Sequence, residues 1–180
     1  TMPVGWALVN DVAAVVSPDS KMLALGLIKD SPSFSAIYTC NIDGSNVKPV
    51  LTTDVNTLIY IKDFIGTSSI LYWRNNDGNN NSELWRVGTN GTGNQKLNIT
   101  LPTNVSFGDG FFAKVTTDGK TIIFSTIDYT RITGNAAIYK YDISTSGVSL
   151  VTDGLDGSLA IQALVNNTAV LYLTDRKSVV

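Results

Sequence analysis

Carboxylates, amides and hydroxyls are the groups this chain offers for chemistry. It has no His and a single Cys, Cys40. That composition excludes imidazole zinc sites, Ser-His-Asp and Cys-His catalysis, and the commonest general base. Cys40 can form no disulfide within the chain and no Cys-x-x-Cys metal site. It aligns with Val87 and Tyr141 of later repeats, apolar strand positions, and reads as a buried structural thiol. Neither a Gly-x-Ser-x-Gly elbow nor a phosphate-binding Gly-x-x-x-x-Gly-Lys-Ser/Thr loop occurs.

The remaining candidates lie in polar stretches. Asn75 to Glu83 is the most polar, and its oxygens suit a calcium ion. An EF-hand loop needs alternating ligands with Gly at its sixth position, however, and Gly78 directly follows Asp77. A solvated loop is the better reading, with Asp77 as a candidate partner contact. Asp109 sits between two glycines and two aromatic groups in Phe107-Gly108-Asp109-Gly110-Phe111-Phe112. A bend between sheets explains those glycines, and a loop in that place also suits ligand binding. Tyr129 and Arg131 fall in the insertion from Asp128 to Asn135, and both are residue types enriched at protein-binding hot spots. Asp19 and Asp118 recur at equivalent turn positions, where Asp bonds its own backbone, so turn formation accounts for them. Asn-x-Ser/Thr sequons, such as Asn90-Gly91-Thr92, carry weight only where the source glycosylates exported proteins. The site expectation is partner binding through Tyr129, Arg131, Asp109 and Asp77, with no catalytic residue, cofactor or metal ligand assigned.

The elements that must position these loops are strands. Thr, Val, Ile and Tyr are abundant, Glu83 is the sole Glu, and no window of about 11 residues shows a 3.6-residue apolar period. A turn feeding an apolar strand begins at Ser17, Gly66, Thr116 and Val165, at intervals of 49, 50 and 49 residues. A fixed period of this length marks a repeat architecture. First strands are expected over Gly5 to Val16, Leu58 to Ile65, Gly110 to Val115 and Leu159 to Val165. Second strands follow over Met22 to Ile28, Ile70 to Arg74, Thr121 to Thr126 and Ala169 to Thr174. Third strands are expected over Ala36 to Ile42, Glu83 to Val87 and Ala137 to Ile143. An alternation of two there puts Tyr38/Cys40, Trp85/Val87 and Tyr139/Tyr141 on one face and Thr39, Arg86 and Lys140 nearer solvent. Fourth strands are expected over Val47 to Leu51, Gln95 to Ile99 and Val148 to Val151, after Asp-Gly and Asn-Gly turns that supply positive φ. Four strands per unit at this period describe a β-propeller whose blades bury their faces on one another. The expected fold is a single all-β domain over 1–180 of about three and a half blades, with repeats at about 5–53, 54–101 and 102–153 and a part from 154 to 180. The ring is partial or open.

Ser17-Pro18-Asp19-Ser20-Lys21, Ala36-Ile37-Tyr38 and Asp43-Gly44-Ser45-Asn46-Val47-Lys48 together resemble the WD-like Pro-Asp propeller repeat of the TolB type. Asn76-Asp77-Gly78-Asn79 with Glu83-Leu84-Trp85, and Thr117-Asp118-Gly119-Lys120 with Ile138-Tyr139, resemble it in the next two units. Gly66 to Ser69 and Val165 to Thr168 lack the Pro-Asp pair. The resemblance implies an exported or cell-envelope protein, periplasmic, cell-surface or secreted, that binds a protein or small ligand without catalysing a reaction. Its alternative implication is the gating propeller of a serine peptidase. A third expectation is a hydrolase or lyase using carboxylates such as Asp109 and Asp156. Net charge is −2, with no cluster of Lys or Arg, so nucleic acid is not an expected partner. No apolar run reaches the length of a membrane span. An open ring leaves an uncovered blade face, so the expected partners include a second copy of the chain or the remainder of a propeller.

Overall fold

The repeated opening turns close in the way their residue types dictate. In the computed structural model the Ser17 hydroxyl donates to Asp19 Oδ1 at 2.7 Å and accepts from Met22 N at 2.9 Å. Thr116 does the same with Asp118 at 2.6 Å and Thr121 at 3.0 Å. Each carboxylate also takes an amide two residues on, from Lys21 or Lys120. Ser17 and Thr116 pair their amides with the carbonyls of Met22 and Thr121, which starts the strand that follows. Turn chemistry therefore accounts for Asp19 and Asp118.

The structure describes residues 4–8, 14–30, 33–76, 82–107, 112–155, 159–165 and 169–174. Every regular element among them is a strand, and all pairings are antiparallel. No helix of the described residues is long and apolar enough to cross a membrane. The chain divides into two compact units, Thr1–Leu97 and Asn98–Val180.

The first unit holds two blades. In blade 1, β1 (Ala7–Leu8) and β2 (Ala14–Val16) both pair with β3 (Met22–Asp30), which pairs with β4 (Ser33–Asn41), and β5 (Lys48–Thr52) closes the edge. Blade 2 runs in sequence order through β6 (Thr57–Ile65), β7 (Ser69–Asn76), β8 (Ser82–Gly88) and β9 (Gln95–Lys96). The second unit holds blade 3 and a hairpin. Blade 3 pairs β10 (Val105–Ser106) and β11 (Ala113–Val115) with β12 (Thr121–Asp128), then β13 (Ala136–Asp142) and β14 (Gly147–Leu155). The hairpin is β15 (Leu159–Val165) with β16 (Ala169–Thr174).

Four strands differ from expectation. Within the described residues the first strand of blade 1 is two short pieces on β3, and blade 3 has the same arrangement with β10 and β11 on β12. The fourth strand of blade 2 is cut to Gln95–Lys96, although Leu97 N still reaches Leu84 O at 2.9 Å. The fourth strand of blade 3 runs on to Leu155, through Thr152-Asp153-Gly154, because Leu155 pairs with Ala136 beyond a register shift.

Alternation sets the cores. Ala24 and Ile37 of blade 1 pack with Ile59, Ile61, Ile70, Tyr72 and Val87 of blade 2 in one buried cluster. Each of the Ile and Val side chains among them contributes about 1.5–3 kcal/mol when fully buried. Arg86 is half-buried and Lys140 exposed, in line with the face expected for them. Thr39 departs from that expectation and is buried. It lies opposite Ala24 and two residues from Ile37, so its face is the one that blade 2 covers. Cys40 is buried and unpaired, and burial pushes its thiol up, which keeps it protonated and unreactive. In the second unit, Ile123, Ala136 and Ile138 form a core that Phe112, Leu155 and Leu164 cover.

Candidate functional site

The chain crosses from β12 to β13 through residues 129–135, and Asp128 governs that loop. Its Oδ1 accepts from the Thr130 amide at 3.0 Å and the Thr130 hydroxyl at 2.6 Å. Its Oδ2 pairs with Arg131 Nε at 3.2 Å. The base of the loop is shut by Asp128 N on Asn135 O at 2.8 Å, and Arg131 Nη1 reaches across to Gly134 O at 3.3 Å. The Thr130 hydroxyl, then the Thr130 amide and the Arg131 charge, hold the Asp128 carboxyl below its ordinary range. It stays ionised at neutral pH, and the bracket stays closed.

Gly134 sits at φ 58° against blade 3's outer strand, where an added Cβ would stand 3.3 Å from Gly154 Cα. The loop base therefore abuts the end of β14. A cavity of about 40 Å³ lies beneath, with Asp128, Arg131 and Asp153 in its wall. That is room for water rather than for a ligand. Above the brace the side chains are apolar and open. Tyr129 is 63% exposed and Ile132 99% exposed. Two large apolar side chains thus stand in water on a loop whose base is braced. Among the described residues no group of three or more Asp, Glu or Cys side chains is placed to hold a metal ion.

Tyr129 and Arg131 are thus brought together on one loop, with different parts to play. Tyr129 faces outward, whereas Arg131 divides between bracing the loop and exposure at 51% of its side chain. Asp77 and Asp109 lie outside the described residues. Sequence reasoning missed Asp128 and Ile132. The signal for Asp128 was present as a pattern, Asp/Asn-x-Ser/Thr, which also occurs at Asp43-Gly44-Ser45, Asn90-Gly91-Thr92 and Asp142-Ile143-Ser144. In every case Oδ1 of the first residue accepts both the amide and the hydroxyl of the third. Ile132 carried no signal, since one apolar residue in a polar loop has no period.

These antiparallel sheets of four or five strands, repeated along the chain, define a β-propeller module. Solved structures similar to the chain are propeller proteins of the TolB and related types. An oligogalacturonate lyase from Vibrio parahaemolyticus matches with a TM-score of 0.68 at 12% identity, over 90% of this chain and 46% of that one. TolB from Acinetobacter baumannii matches at 0.58 and 17% identity, over 83% of this chain and 34% of that one. Prolyl oligopeptidase B from Galerina marginata matches at 0.62 and 13% identity, over 88% of this chain and 22% of that one. The chain spans less than half the length of each. At such identities the likeness is one of fold. No family model matches the chain. No curated protein matches it either.

Proposed function

We propose that the chain is a non-catalytic binding module of an exported or cell-envelope propeller protein, and that its partner is a protein held on the β12–β13 loop. One observation carries this reading: Asp128 and Arg131 fix the loop while Tyr129 and Ile132 project from it. A loop ordered in advance loses little entropy on binding, and aromatic and apolar anchors beside an Arg are the residue types that supply binding energy. Export rests on the Pro-Asp repeat resemblance alone, and cell fractionation tests it.

The test is affinity capture from a cell-envelope extract of the source, with wild type and the double variant Tyr129→Ala/Ile132→Asp as baits. The expected result is a protein retained by wild type and lost by the variant, at equal melting temperature. Equal retention by both overturns the loop assignment. Hydrolytic activity in the purified chain, abolished by Asp109→Asn, overturns the non-catalytic reading.

A second reading draws on the prolyl oligopeptidase likeness, in which the chain matches 22% of a much longer enzyme. Here the chain is the propeller part of a peptidase, and coding sequence continuing past Val180 into a Ser-His-Asp hydrolase supports it. Under either reading a second copy or further blades complete the ring. Light scattering on the purified chain separates the two, since a dimer stable on dilution requires the second copy.

A further inference from the structure

Blade 2 carries four cationic side chains, Lys62, Arg74, Arg86 and Lys96. Lys96 pairs with Glu83, Arg74 lies over the Trp85 ring at 4.9 Å, and Lys62 over the Trp73 ring at 5.5 Å. Arg86 has a different neighbour. It stands opposite Gln95 in the β8–β9 pair, and with the Gln95 amide turned to the orientation that satisfies both its atoms, Arg86 Nε and one Nη donate to the amide oxygen. That contact uses one side of the guanidinium and fixes its plane. Among the described residues no carboxylate lies within ion-pair distance of it.

Arg86 and Gln95 both border a concavity of about 450 Å³ at the end of blade 2. Two turns build it: the β6–β7 turn, and the turn from β8 to β9. Thr89 N on Ser68 O at 2.8 Å ties them together. The second turn is fixed by its own residues. Gly88 tolerates no Cβ, which would stand 2.8 Å from Asn90 Oδ1 and 2.9 Å from Thr92 O, and Gly91 and Gly93 take positive φ. The lining side chains are the hydroxyls of Ser68, Ser69, Thr89 and Thr92, amides, and Arg86, with no acid among them. Thr92 spends its proton on Asn90, whereas the Ser68, Ser69 and Thr89 hydroxyls make no hydrogen bond within the described residues. The volume falls in the range of small-molecule sites, but the wall is polar where such sites are mostly apolar. A polar wall around one oriented cation selects a ligand that is itself polar and anionic.

We propose that this concavity binds a small hydroxylated organic anion of the sugar-acid class. The ligand carboxylate pairs with the open side of the Arg86 guanidinium, and its hydroxyls exchange hydrogen bonds with Ser68, Ser69 and Thr89. Gln95 is a positioning residue, since it engages Nε and one Nη of the guanidinium and leaves the second Nη to the ligand. The site lies within the first unit and is independent of the β12–β13 loop.

Titration calorimetry of the full chain at low ionic strength tests this, with gluconate as probe and sorbitol and sulfate as comparators. Sorbitol keeps the hydroxyls without the charge, and sulfate keeps charge without hydroxyls. Gluconate is expected to bind saturably and more tightly than sulfate, with sorbitol silent. Arg86→Met is expected to weaken gluconate by about tenfold or more, the worth of one charge-assisted hydrogen bond, at unchanged melting temperature. Should that variant fold poorly, Thr89→Asp serves instead: it keeps Arg86 and supplies a rival carboxylate, and gluconate binding is expected to fall as well. Absent gluconate binding, equal binding of sorbitol or sulfate, or affinity unchanged in these variants overturns the proposal.

Discussion

Short polar side chains, more than buried apolar ones, determine where this chain turns. Ser20 and Gly119 occupy the same place in equivalent turns, at φ 57° and 71°. An L-residue in that left-handed region costs about 1–2 kcal/mol, whereas Gly gives up only about 0.5–1 kcal/mol of chain entropy. The first effect wins. Ser20→Gly is therefore expected to raise stability by a few tenths to about 1 kcal/mol, read from the urea midpoint. The Ser20 side chain makes no hydrogen bond within the described residues that this change would remove. The reverse exchange, Gly119→Val, places a branched side chain at positive φ and is expected to lower the midpoint. A Ser20→Gly variant no more stable than wild type would show that the turn is not under strain. Much of this was legible beforehand. Ser-Pro-Asp and Thr-Thr-Asp announced the turns because Asp carries its hydrogen-bond pattern with it. The Asp128 bracket uses the same chemistry, but Asp128-Tyr129-Thr130 lies within an insertion that has no counterpart in the other repeats to mark it as a turn.

Strand order followed from the fifty-residue period, but strand number and strand ends did not. Alternation is a local signal, and pairing across the sheet decides where a strand stops. Thr152-Asp153-Gly154 has turn composition, yet it is strand because β13 is there to pair with it. Thr39 looked solvent-facing because nothing in its own blade shows that a second blade covers it. The outer edges differ in one further respect. β5 carries Lys48 and Pro49, and β9 is only two residues long with Lys96 in it. Both are standard ways to blunt an edge against pairing with another chain. β14 is nine residues long, holds no Lys, Arg or Pro, and exposes Leu150 at 49% and Val151 at 45%. This edge is the expected origin of aggregation. Leu150→Lys should slow the growth of light scattering at elevated temperature and leave the melting temperature nearly unchanged. An unaltered aggregation rate would place the origin elsewhere.

Across the whole molecule the turn carboxylates act in concert. Asp19, Asp43, Asp118 and Asp128 are all held below their ordinary range, in each case first by a Ser or Thr hydroxyl. Asp142 is lowered furthest, to about 2, by the Ser144 hydroxyl and then the Thr145 amide. A carboxyl with a depressed folded pKa binds its proton more readily in the unfolded chain. It stabilises the fold above its unfolded value, near 3.8, and that stabilisation is lost as pH falls through the folded value. With no His in the chain, no imidazole titrates between pH 5 and 8 to oppose or mask this. Stability should therefore be level from neutral pH down to about 5 and then fall steeply between about 4 and 2. Asp19, Asp43 and Asp118 are exposed and Asp128 and Asp142 half-buried, so solvent screens each contribution, and the effect is collective rather than the property of one bracket. Asp142→Asn keeps an acceptor for Ser144 and Thr145 but cannot ionise. Melting temperatures measured from pH 7 to pH 2 should show a shallower acid limb for this variant than for wild type, with the two curves converging at the acid end. Parallel curves throughout would mean that the acid limb comes from other carboxyls, and that the turns hold by backbone geometry without help from charge.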